Sequence, residues 1–315
     1  MAESAEKFDD LGLGTKANSS SIRSLNKDGS FNLKKKNVPL SERVNFYHSL
    51  VTMSWTKFFV LLLSAYIVVN FLFAAVYMLI GVEHLTGVEG TTDFDKFLEA
   101  FFFSSQTLTT LGYGRIAPVG ALASTVAAIE SMLGLLAFAL ATGMLYGRFS
   151  KPTAKIKYSR HAVISPYKGI NAFMFRVVNP RDNELIEVEV SVTLSLQRKD
   201  SSLRDFYLLD LERKKVIFLP MTWTVVHPIS DSSPLHNLSK EDMMEKGAEF
   251  IVLMKSFDET FSQTVYSRSS YKSDEIIWGA KFVYAMGQED KKLTVDIGKI
   301  DETEKAELNR SAVQG

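Results

Sequence analysis

The sequence predicts a membrane protein of two transmembrane helices with a short re-entrant segment between them, followed by an all-β domain. Three observations lead to this fold class. Residues 58–80 and 121–147 are apolar stretches long enough to cross a bilayer. A shorter aromatic stretch lies between them and ends in a glycine-containing segment. After residue 160 the hydrophobic pattern alternates, which is typical of strands.

The composition excludes several function classes. The 315 residues include 36 Lys and Arg and 36 Asp and Glu, so the formal net charge is zero, whereas a general nucleic-acid-binding protein has a basic excess. The chain contains no cysteine, which excludes a disulfide scaffold, a thiol catalyst and a cysteine-ligated metal. The five histidines show no metal-ligand spacing, and we expect no cofactor.

Two segments precede the first span. Residues 1–38 are rich in Ser, Asn, Lys and Gly without a hydrophobic period, so we expect a disordered tail. In residues 39–54, apolar residues from Leu40 to Val51 recur at helical spacing. A surface helix of a soluble domain would show the same pattern, but the place just before a span favours an interfacial helix.

The outer helix is predicted at 56–80, within a pore domain at 55–150. Its apolar part carries no charge and, at about 1.5 Å per residue, reaches about 35 Å. The inner helix is predicted at 120–149; its span contains one charge, Glu130, and many small residues that allow close helix packing.

The distribution of charge predicts the orientation. Basic residues flank the two spans, whereas the loop 81–99 carries five acidic residues against the single Lys96. The positive-inside rule therefore places both termini in the cytoplasm.

The segment between the spans predicts an ion pathway. Residues 94–108 are too short to cross as a helix, and 109–114 form a glycine-bearing segment after them. Non-helical backbone at membrane depth is tolerated where it is buried in protein or lines a watery path. Backbone carbonyls of an extended ribbon can replace the water shell of K⁺ if four chains surround one axis, and alternate glycines permit the required backbone conformations.

The sequence thus predicts a homotetramer with one filter segment per chain. K⁺ is expected at the carbonyl groups of Thr110, Leu111, Gly112 and Tyr113, with Gly114 completing the segment. A Gly-Tyr-Gly sequence also occurs in tight turns of soluble loops. Its place after a half-length helix and two threonines, between two spans, favours the pore.

The C-terminal part is predicted as a β-sandwich at 161–300, joined by a linker at 151–160 and followed by a flexible tail at 301–315. Hydrophobic and polar residues alternate over 186–196. Further strand-like runs lie at 171–178, 216–226, 249–256, 276–285 and 293–300.

The segment 109–114 resembles the potassium-channel filter, with Leu111 where Val or Ile is commoner. The wider pattern resembles the inward-rectifier potassium channels, most closely the prokaryotic branch. The matching segments are 47–55, 148–152, 161–163, 227–229, 233–235, 268–271 and 275–279. This resemblance implies an interfacial slide helix, a pore helix at 94–108, an immunoglobulin-like cytoplasmic sandwich that extends the pore, and a location in the inner (plasma) membrane.

The resemblance also suggests residue roles. Glu130 lies one-third along the inner helix and is interpreted as a brace behind the filter or a source of local negative charge, in preference to a protonated structural acid. Gln106 and Thr109 are expected to support the filter. Members of the eukaryotic branch have a salt bridge behind the filter, between a glutamate before it and a basic residue after it. Here Gln106 stands in place of the glutamate, and Arg115 lies one position nearer the filter than the basic residue does, so this salt bridge is not expected.

Two aromatic residues of the inner helix are candidates for constrictions. Tyr146 resembles the family's gate, since four rings at a narrow axis form a dewetted barrier, although interface-belt tyrosines are also common. Phe138 occupies the position where strongly rectifying members carry an acid, so we expect weak rectification. The loop 260–266 is expected to narrow the cytoplasmic pore.

Basic residues cluster where the inner helix ends. A lipid-binding ring is predicted at Lys57, Arg148, Lys151, Lys155 and Lys157. These charges also follow from topology alone, but the resemblance favours binding of anionic lipid head groups.

Three other classes of protein compete with the channel. A two-span channel with a nucleotide- or Ca²⁺-sensing domain would need an α/β pattern after residue 160, which is not found. A membrane-anchored binding module remains an alternative as a cytoplasmic receptor. An enzyme is not expected, because no nucleophile elbow, metal-binding helix or phosphate loop occurs.

Overall fold

A computed structural model describes most of the chain, and the chain divides into two compact units. The helical unit is Lys36–Lys151, and the β unit combines Met1–Lys35 with Pro152–Gly315. The described residues are 7–8, 23–34, 36–37, 39, 46–150, 155–181, 183–199, 203–219 and 221–309.

The described residues of the helical unit form four α-helices, and the two long ones are long and apolar enough to cross a membrane. The helices are α1 Phe46–Thr52, α2 Trp55–Ile80, α3 Asp93–Leu108 and α4 Ala121–Phe149. The three predicted for the pore domain agree with α2, α3 and α4 to within one residue. The slide helix is described from residue 46 onward, because residues 40–45 lie outside the described residues.

Local sequence fixes where the helices begin. Ser54 separates α1 from α2, and its hydroxyl accepts the N–H of Lys57 as an N-cap. Thr92 and Asp95 form a reciprocal capping box at the start of α3. Both caps lie within one turn of the predicted helix starts.

The short helix α3 packs against α2 through small and aromatic side chains. Ala74 and Ala100 are fully buried, and the rings of Tyr77 and Phe103 meet edge to face at 5.1 Å. This packing holds a half-length helix inside the unit and so positions the segment that follows it.

Most of the strands of the described residues lie in the β unit, and one short pair lies in the helical unit. In chain order they are β1 Lys7–Phe8, β2 Leu85–Thr86, β3 Ala117–Pro118, β4 Lys157–Tyr158, β5 Ala162–Tyr167, β6 Ile170–Val178, β7 Leu185–Gln197, β8 Arg204–Leu208, β9 Lys215–Phe218, β10 Thr222–Pro228, β11 Glu249–Asp258, β12 Gln263–Lys272, β13 Ile276–Trp278, β14 Ala280–Phe282, β15 Met286–Glu289, β16 Lys292–Val295 and β17 Thr303–Lys305. A one-and-a-half-turn helix, α5 Lys240–Glu245, lies between β10 and β11.

Two sheets pack face to face, as the alternating pattern predicts. One has the order β1-β8-β7-β11-β12 with β9 also on β7, and the other has the order β10-β6-β5-β13 with β4 also on β6. Phe173 of β6 stacks on Phe250 of β11 with ring centroids 4.1 Å apart. The predicted sandwich is therefore present, and its core lies between these sheets.

The predicted borders of the sandwich are too narrow. Residues 157–158, placed in the linker, pair with β6, and Ile156 is buried in the core. Residues 303–305, placed in the flexible tail, pair with β14. Strands of two or three residues are too short to show the alternation of apolar and polar residues by which strands are predicted from sequence.

Residues 23–34 of the predicted N-terminal tail are more ordered than their composition predicts. Leu25 and Phe31 form a bridge, and Leu25 is buried. The carboxylate of Glu249 accepts the backbone N–H groups of Ser24 and Leu25. This polar segment is thus held by hydrogen bonds to its backbone. Such bonds do not depend on side-chain type, so the composition of the segment does not predict them.

Three predicted strand runs are interrupted. Residues 216–226 divide into β9 and β10, which belong to different sheets. Residues 276–285 divide into β13 and β14 at Gly279, where φ is 67°. Residues 293–300 contain β16 and then a tight turn at Ile297–Asp301.

Candidate ion pathway and its supports

The segment after α3 has an alternating backbone. Thr110, Gly112 and Gly114 have φ of 59°, 55° and 81°, whereas Leu111 and Tyr113 are not in the left-handed region. Alternation of this kind turns successive carbonyl groups toward the same side of the chain, an arrangement that a run of ordinary L-residues avoids. The segment therefore presents a row of backbone oxygens.

The carboxyl end of α3 holds this segment. The N–H of Leu111 donates to the carbonyl of Gln106 at 2.8 Å, and that of Thr110 to Thr107 at 3.0 Å. The hydroxyl of Thr109 donates to the carbonyl of Ser105 at 2.7 Å. Gln106 therefore contributes a main-chain carbonyl that binds the segment, and the Thr109 hydroxyl binds back to α3. Their role in supporting a filter stays a prediction.

Side chains of the segment and of α4 are widely exposed within one chain. Tyr113 is 75 % exposed, and Leu111 is 54 % exposed. Phe138 and Tyr146, two turns apart on α4, are 73 % and 75 % exposed. Large apolar surfaces of this kind are normally covered by lipid or by other protein chains.

A buried polar network lies behind the segment. Glu130 of α4 is completely buried, and its carboxyl accepts the hydroxyl of Tyr77 at 2.7 Å. Ser104 of α3 bonds to the other carboxyl oxygen and lies 3.0 Å from Oδ1 of Asn70. Glu130 therefore joins α2, α3 and α4, which is the position that the brace hypothesis requires.

Gly134 marks a close approach of α4 to α3. A Cβ on Gly134 would lie 1.9 Å from the carbonyl oxygen of Leu108, the last residue of α3. By contrast, a Cβ on Gly143 of the same helix meets nothing within 4 Å. The sequence indicated close packing by the many small residues, but not which glycine makes the contact.

An ion pair that sequence reasoning missed joins the loops before and after α3. Glu99 accepts the N–H of Glu89 at 2.8 Å and the guanidinium of Arg115 at 3.2 Å. Desolvation acts to raise the pKa of Glu99, but the N–H groups of Glu89 and Gly90 and the Arg115 guanidinium together lower the pKa. Arg115 directly follows the predicted filter segment 109–114. Its position near the acidic residues of the loop 81–99 was the signal from which the sequence could have predicted an ion pair.

The five predicted lipid-binding residues have different surroundings. Lys57, in the first turn of α2, is exposed. Lys155 and Lys157 are exposed on the β unit, and Lys151 lies outside the described residues. Arg148 is 9 % exposed, and its guanidinium donates to the carbonyls of Leu50 and Met53.

Comparison with known families gives two matches that together cover most of the chain. Residues 25–152 match the inward rectifier potassium channel transmembrane domain, and residues 156–314 match the inward rectifier potassium channel C-terminal domain.

Curated relatives agree with the family matches. The chain is 36 % identical over 287 residues to the inward rectifier potassium channel Kirbac3.1 of Paramagnetospirillum magnetotacticum, covering 89 % of this chain and 95 % of that protein. It is 28 % identical over 307 residues to the G protein-activated inward rectifier potassium channel 2 of Mus musculus, covering 89 % and 71 %. It is 27 % identical over 322 residues to the ATP-sensitive inward rectifier potassium channel 8 of Homo sapiens, covering 93 % and 76 %.

Proposed function

We propose, from the premise that this chain belongs to the inward rectifier potassium channel family, that four copies form a K⁺-selective channel. The channel lies in the inner membrane of the cell with both termini in the cytoplasm. The alternating backbone at Thr110, Gly112 and Gly114 carries the proposal. Four such rows of carbonyl oxygens around one axis replace the hydration shell of K⁺.

The pore helix contributes to conduction through its orientation. The filter follows the carboxyl end of α3, where the helix dipole places partial negative charge that favours a cation. The Thr110 hydroxyl supplies an additional oxygen at the cytoplasmic end of the filter. Conduction is passive and needs no cofactor; K⁺ is the permeant ion.

Glu130 supports the filter as the centre of a hydrogen-bond chain. The hydroxyl of Ser104 has one proton but two acceptors, Glu130 and Asn70. A proton on Glu130 that is donated to Ser104 completes the chain, because Ser104 then donates to Asn70. The neutral acid thus fastens α4 to α3 without placing an uncompensated charge inside the membrane.

Tracer uptake into liposomes tests the proposal. Purified protein is reconstituted into vesicles loaded with K⁺, and the uptake of a Rb⁺ tracer is measured with and without external Ba²⁺. Uptake that internal K⁺ supports, internal Na⁺ does not support and Ba²⁺ stops is expected. If uptake is absent whatever the lipid composition, a membrane-anchored sensor becomes the better assignment.

The channel is proposed to rectify weakly, because the middle of the inner helix carries no acid at Phe138. Replacing Phe138 with Asp in each of four chains places four carboxylates on α4, where internal Mg²⁺ or polyamines can bind. We expect outward current in internal spermine to fall about tenfold, which corresponds to about 1.4 kcal/mol of added blocker affinity. Inward current should remain.

The uncharged variant Phe138→Asn is the control for this experiment, since it removes the ring without adding a carboxylate. Equal block of both variants would show that ring size, and not charge, governs the blocker.

Anionic lipids are proposed to control the channel through the exposed lysines at the cytoplasmic side. Each exposed lysine near an anionic surface contributes about 1 kcal/mol of attraction. Lys155→Gln with Lys157→Gln is expected to weaken the dependence of tracer uptake on the anionic lipid fraction severalfold. Lys291→Gln with Lys292→Gln, which removes the same charge from the exposed β15–β16 turn, should leave the dependence intact. The same response in both double variants would remove these lysines from the mechanism.

The gate is proposed at Tyr146. Its ring is exposed within one chain, near the end of α4, where four inner helices of a tetramer converge. Four aromatic rings at such a constriction exclude water and so stop ion flow. Opening then requires the ends of the inner helices to move apart.

A further inference from the structure

We propose that Glu99 and Arg115 are positioning residues that hold the outer end of the filter, so that without this ion pair the conducting filter persists only where K⁺ fills it. The proposal rests on the filter proposed at 109–114. Glu99 lies about two helical turns before Gln106, the position of the eukaryotic glutamate, so this pair is not the eukaryotic salt bridge.

The middle of the filter segment has little support from its own chain. At the inner end, the N–H of Leu111 donates to the carbonyl of Gln106 on α3. Further along, the ring of Tyr113 is exposed, and a Cβ on Gly112 or Gly114 would have no atom of the described chain within 4 Å. Within one chain, the shape of the segment therefore depends on how its two ends are held.

Arg115 directly follows the filter and reaches back to α3. Both terminal nitrogens of its guanidinium lie 3.2 Å from Oε1 of Glu99, in the second turn of that helix. One of them also lies 3.3 Å from the carbonyl oxygen of Gly87, in the loop before α3. The side chain thus ties the exit of the filter to the helix that leads into it.

Glu99 is itself fixed by the loop before α3. Its Oε2 accepts the backbone N–H of Glu89 at 2.8 Å and that of Gly90 at 3.2 Å. The Glu99 side chain is 18 % exposed, whereas that of Arg115 is 56 % exposed. A carboxylate anchored in this way gives the arginine a fixed partner, so less side-chain freedom is lost than when two free surface side chains pair.

The backbone beside the ion pair is closely packed against the filter exit. The strands β2 and β3 pair Leu85 with Pro118, and Ile116 belongs to the same buried cluster as Leu85. A Cβ on Gly87 would lie 1.9 Å from the carbonyl oxygen of Arg115. A shift of the loop before α3 is therefore passed directly to the backbone that leaves the filter.

Bound K⁺ can replace the support that the ion pair gives. The ion binds four rows of carbonyl oxygens only while these rows have their conducting arrangement. A ligand that binds one conformation stabilises it more strongly as the ligand concentration rises. A filter without the ion pairs should therefore fail at low K⁺ and recover at high K⁺, which a general folding defect would not do.

A simple effect of charge at the pore mouth predicts a different result. Arg115 repels cations from the mouth and Glu99 attracts them, so neutralising each residue would change the current in opposite directions. Loss of the tie between the two residues instead lowers the current in both cases. The direction of the change in the two single variants separates these explanations.

Currents in a planar bilayer with the same K⁺ concentration on both sides test the proposal. K⁺ is varied from millimolar to near molar, and an impermeant organic cation keeps the ionic strength constant, because salt alone screens ion pairs. At low K⁺, Arg115→Gln and Glu99→Gln should each carry about a tenth of the parent current; at high K⁺ both should approach it. A tenfold fall corresponds to about 1.4 kcal/mol over four chains, a share for each chain that an exposed ion pair can supply.

Three further variants complete the experiment. Arg115→Lys keeps the positive charge and should retain most of the current at low K⁺. The double variant Glu99→Gln with Arg115→Gln should be no worse than either single variant, because both changes break the same tie. Lys281→Gln removes one member of an exposed ion pair with Glu304 in the β unit, and it should match the parent at every K⁺ concentration.

Opposite changes in the two single variants would overturn the proposal. Parent-like currents in both variants would do so too, as would a deficit that high K⁺ does not reverse. The parent in the same bilayer tests the proposed function separately. A parent without K⁺-selective current would show that the channel assignment is wrong, whereas a selective parent with unaffected variants would remove only the role of Glu99 and Arg115.

Discussion

Replacing Gly112 with alanine is expected to abolish K⁺ uptake. Gly112 has φ of 55°, a conformation that costs an L-residue about 1–2 kcal/mol in each chain. A Cβ on residue 112 would have no atom of the same chain within 4 Å. The loss of uptake would therefore come from the strained backbone and not from a steric clash. The alanine ribbon can relax to negative φ, which turns a carbonyl away from the axis in all four chains at once. Rb⁺ uptake below a tenth of the parent rate would agree with this account.

Gly169→Ala is the matched control for that experiment. Gly169 also has a positive φ, 84°, and open space around its Cβ position, but it lies in the turn between β5 and β6. It therefore carries a similar backbone cost outside the ion pathway and should conduct normally. Selective K⁺ uptake by Gly112→Ala would show that the filter assignment is wrong.

Replacing Gly134 with alanine is expected to destabilise the assembled channel. The new Cβ would lie 1.9 Å from the carbonyl oxygen of Leu108, a backbone atom that cannot move without shifting α3. Overpacking of this kind costs about 1–3 kcal/mol, more than the gain of about 1 kcal/mol from replacing a helical glycine. The midpoint temperature for loss of the tetramer in detergent should fall by several degrees. Uptake should also fall, because the proposed filter follows α3 directly.

Gly143→Ala provides the comparison on the same helix. A Cβ on Gly143 meets nothing within 4 Å, so the helix gains propensity without a clash and the midpoint should stay level or rise. If both variants behave alike, the contact between Gly134 and Leu108 does not hold the filter in place.

The sequence was sufficient where a pattern is long or chemically specific. The uncharged run 58–80, with the residues just before it, predicted a helix at 56–80, within one residue of α2, because a lipid-facing span of this length is predominantly apolar. The filter prediction at 109–114 rested on alternate glycines after a threonine pair, which suit a carbonyl-lined pathway. Gly112 and Gly114 have the positive φ that this prediction needs, and the ion pathway itself stays a prediction. The sandwich followed from the alternation over 186–196, which matches β7 closely.

Other features depend on pairs of residues far apart in the chain, which periodicity does not encode. Arg148 stood as one of many basic residues after a span, and only its contacts with Leu50 and Met53 distinguish it from its neighbours. No sequence pattern around Glu249 indicated that its carboxylate would accept the backbone N–H of Ser24. The polar strand β12 Gln263–Lys272 was not predicted, because few of its residues are apolar even though it pairs along its whole length with β11.

The reversal potential of the purified channel in a planar bilayer is the most direct test of the central claim. With K⁺ on one side and Na⁺ containing a small amount of K⁺ on the other, a pore lined by the carbonyls of residues 110–113 should give a current that reverses near the K⁺ equilibrium potential and disappears with Ba²⁺. A reversal potential near zero, with Na⁺ and K⁺ equally permeant, would contradict the account, because a ring of carbonyls that replaces the K⁺ hydration shell cannot ignore the identity of the ion.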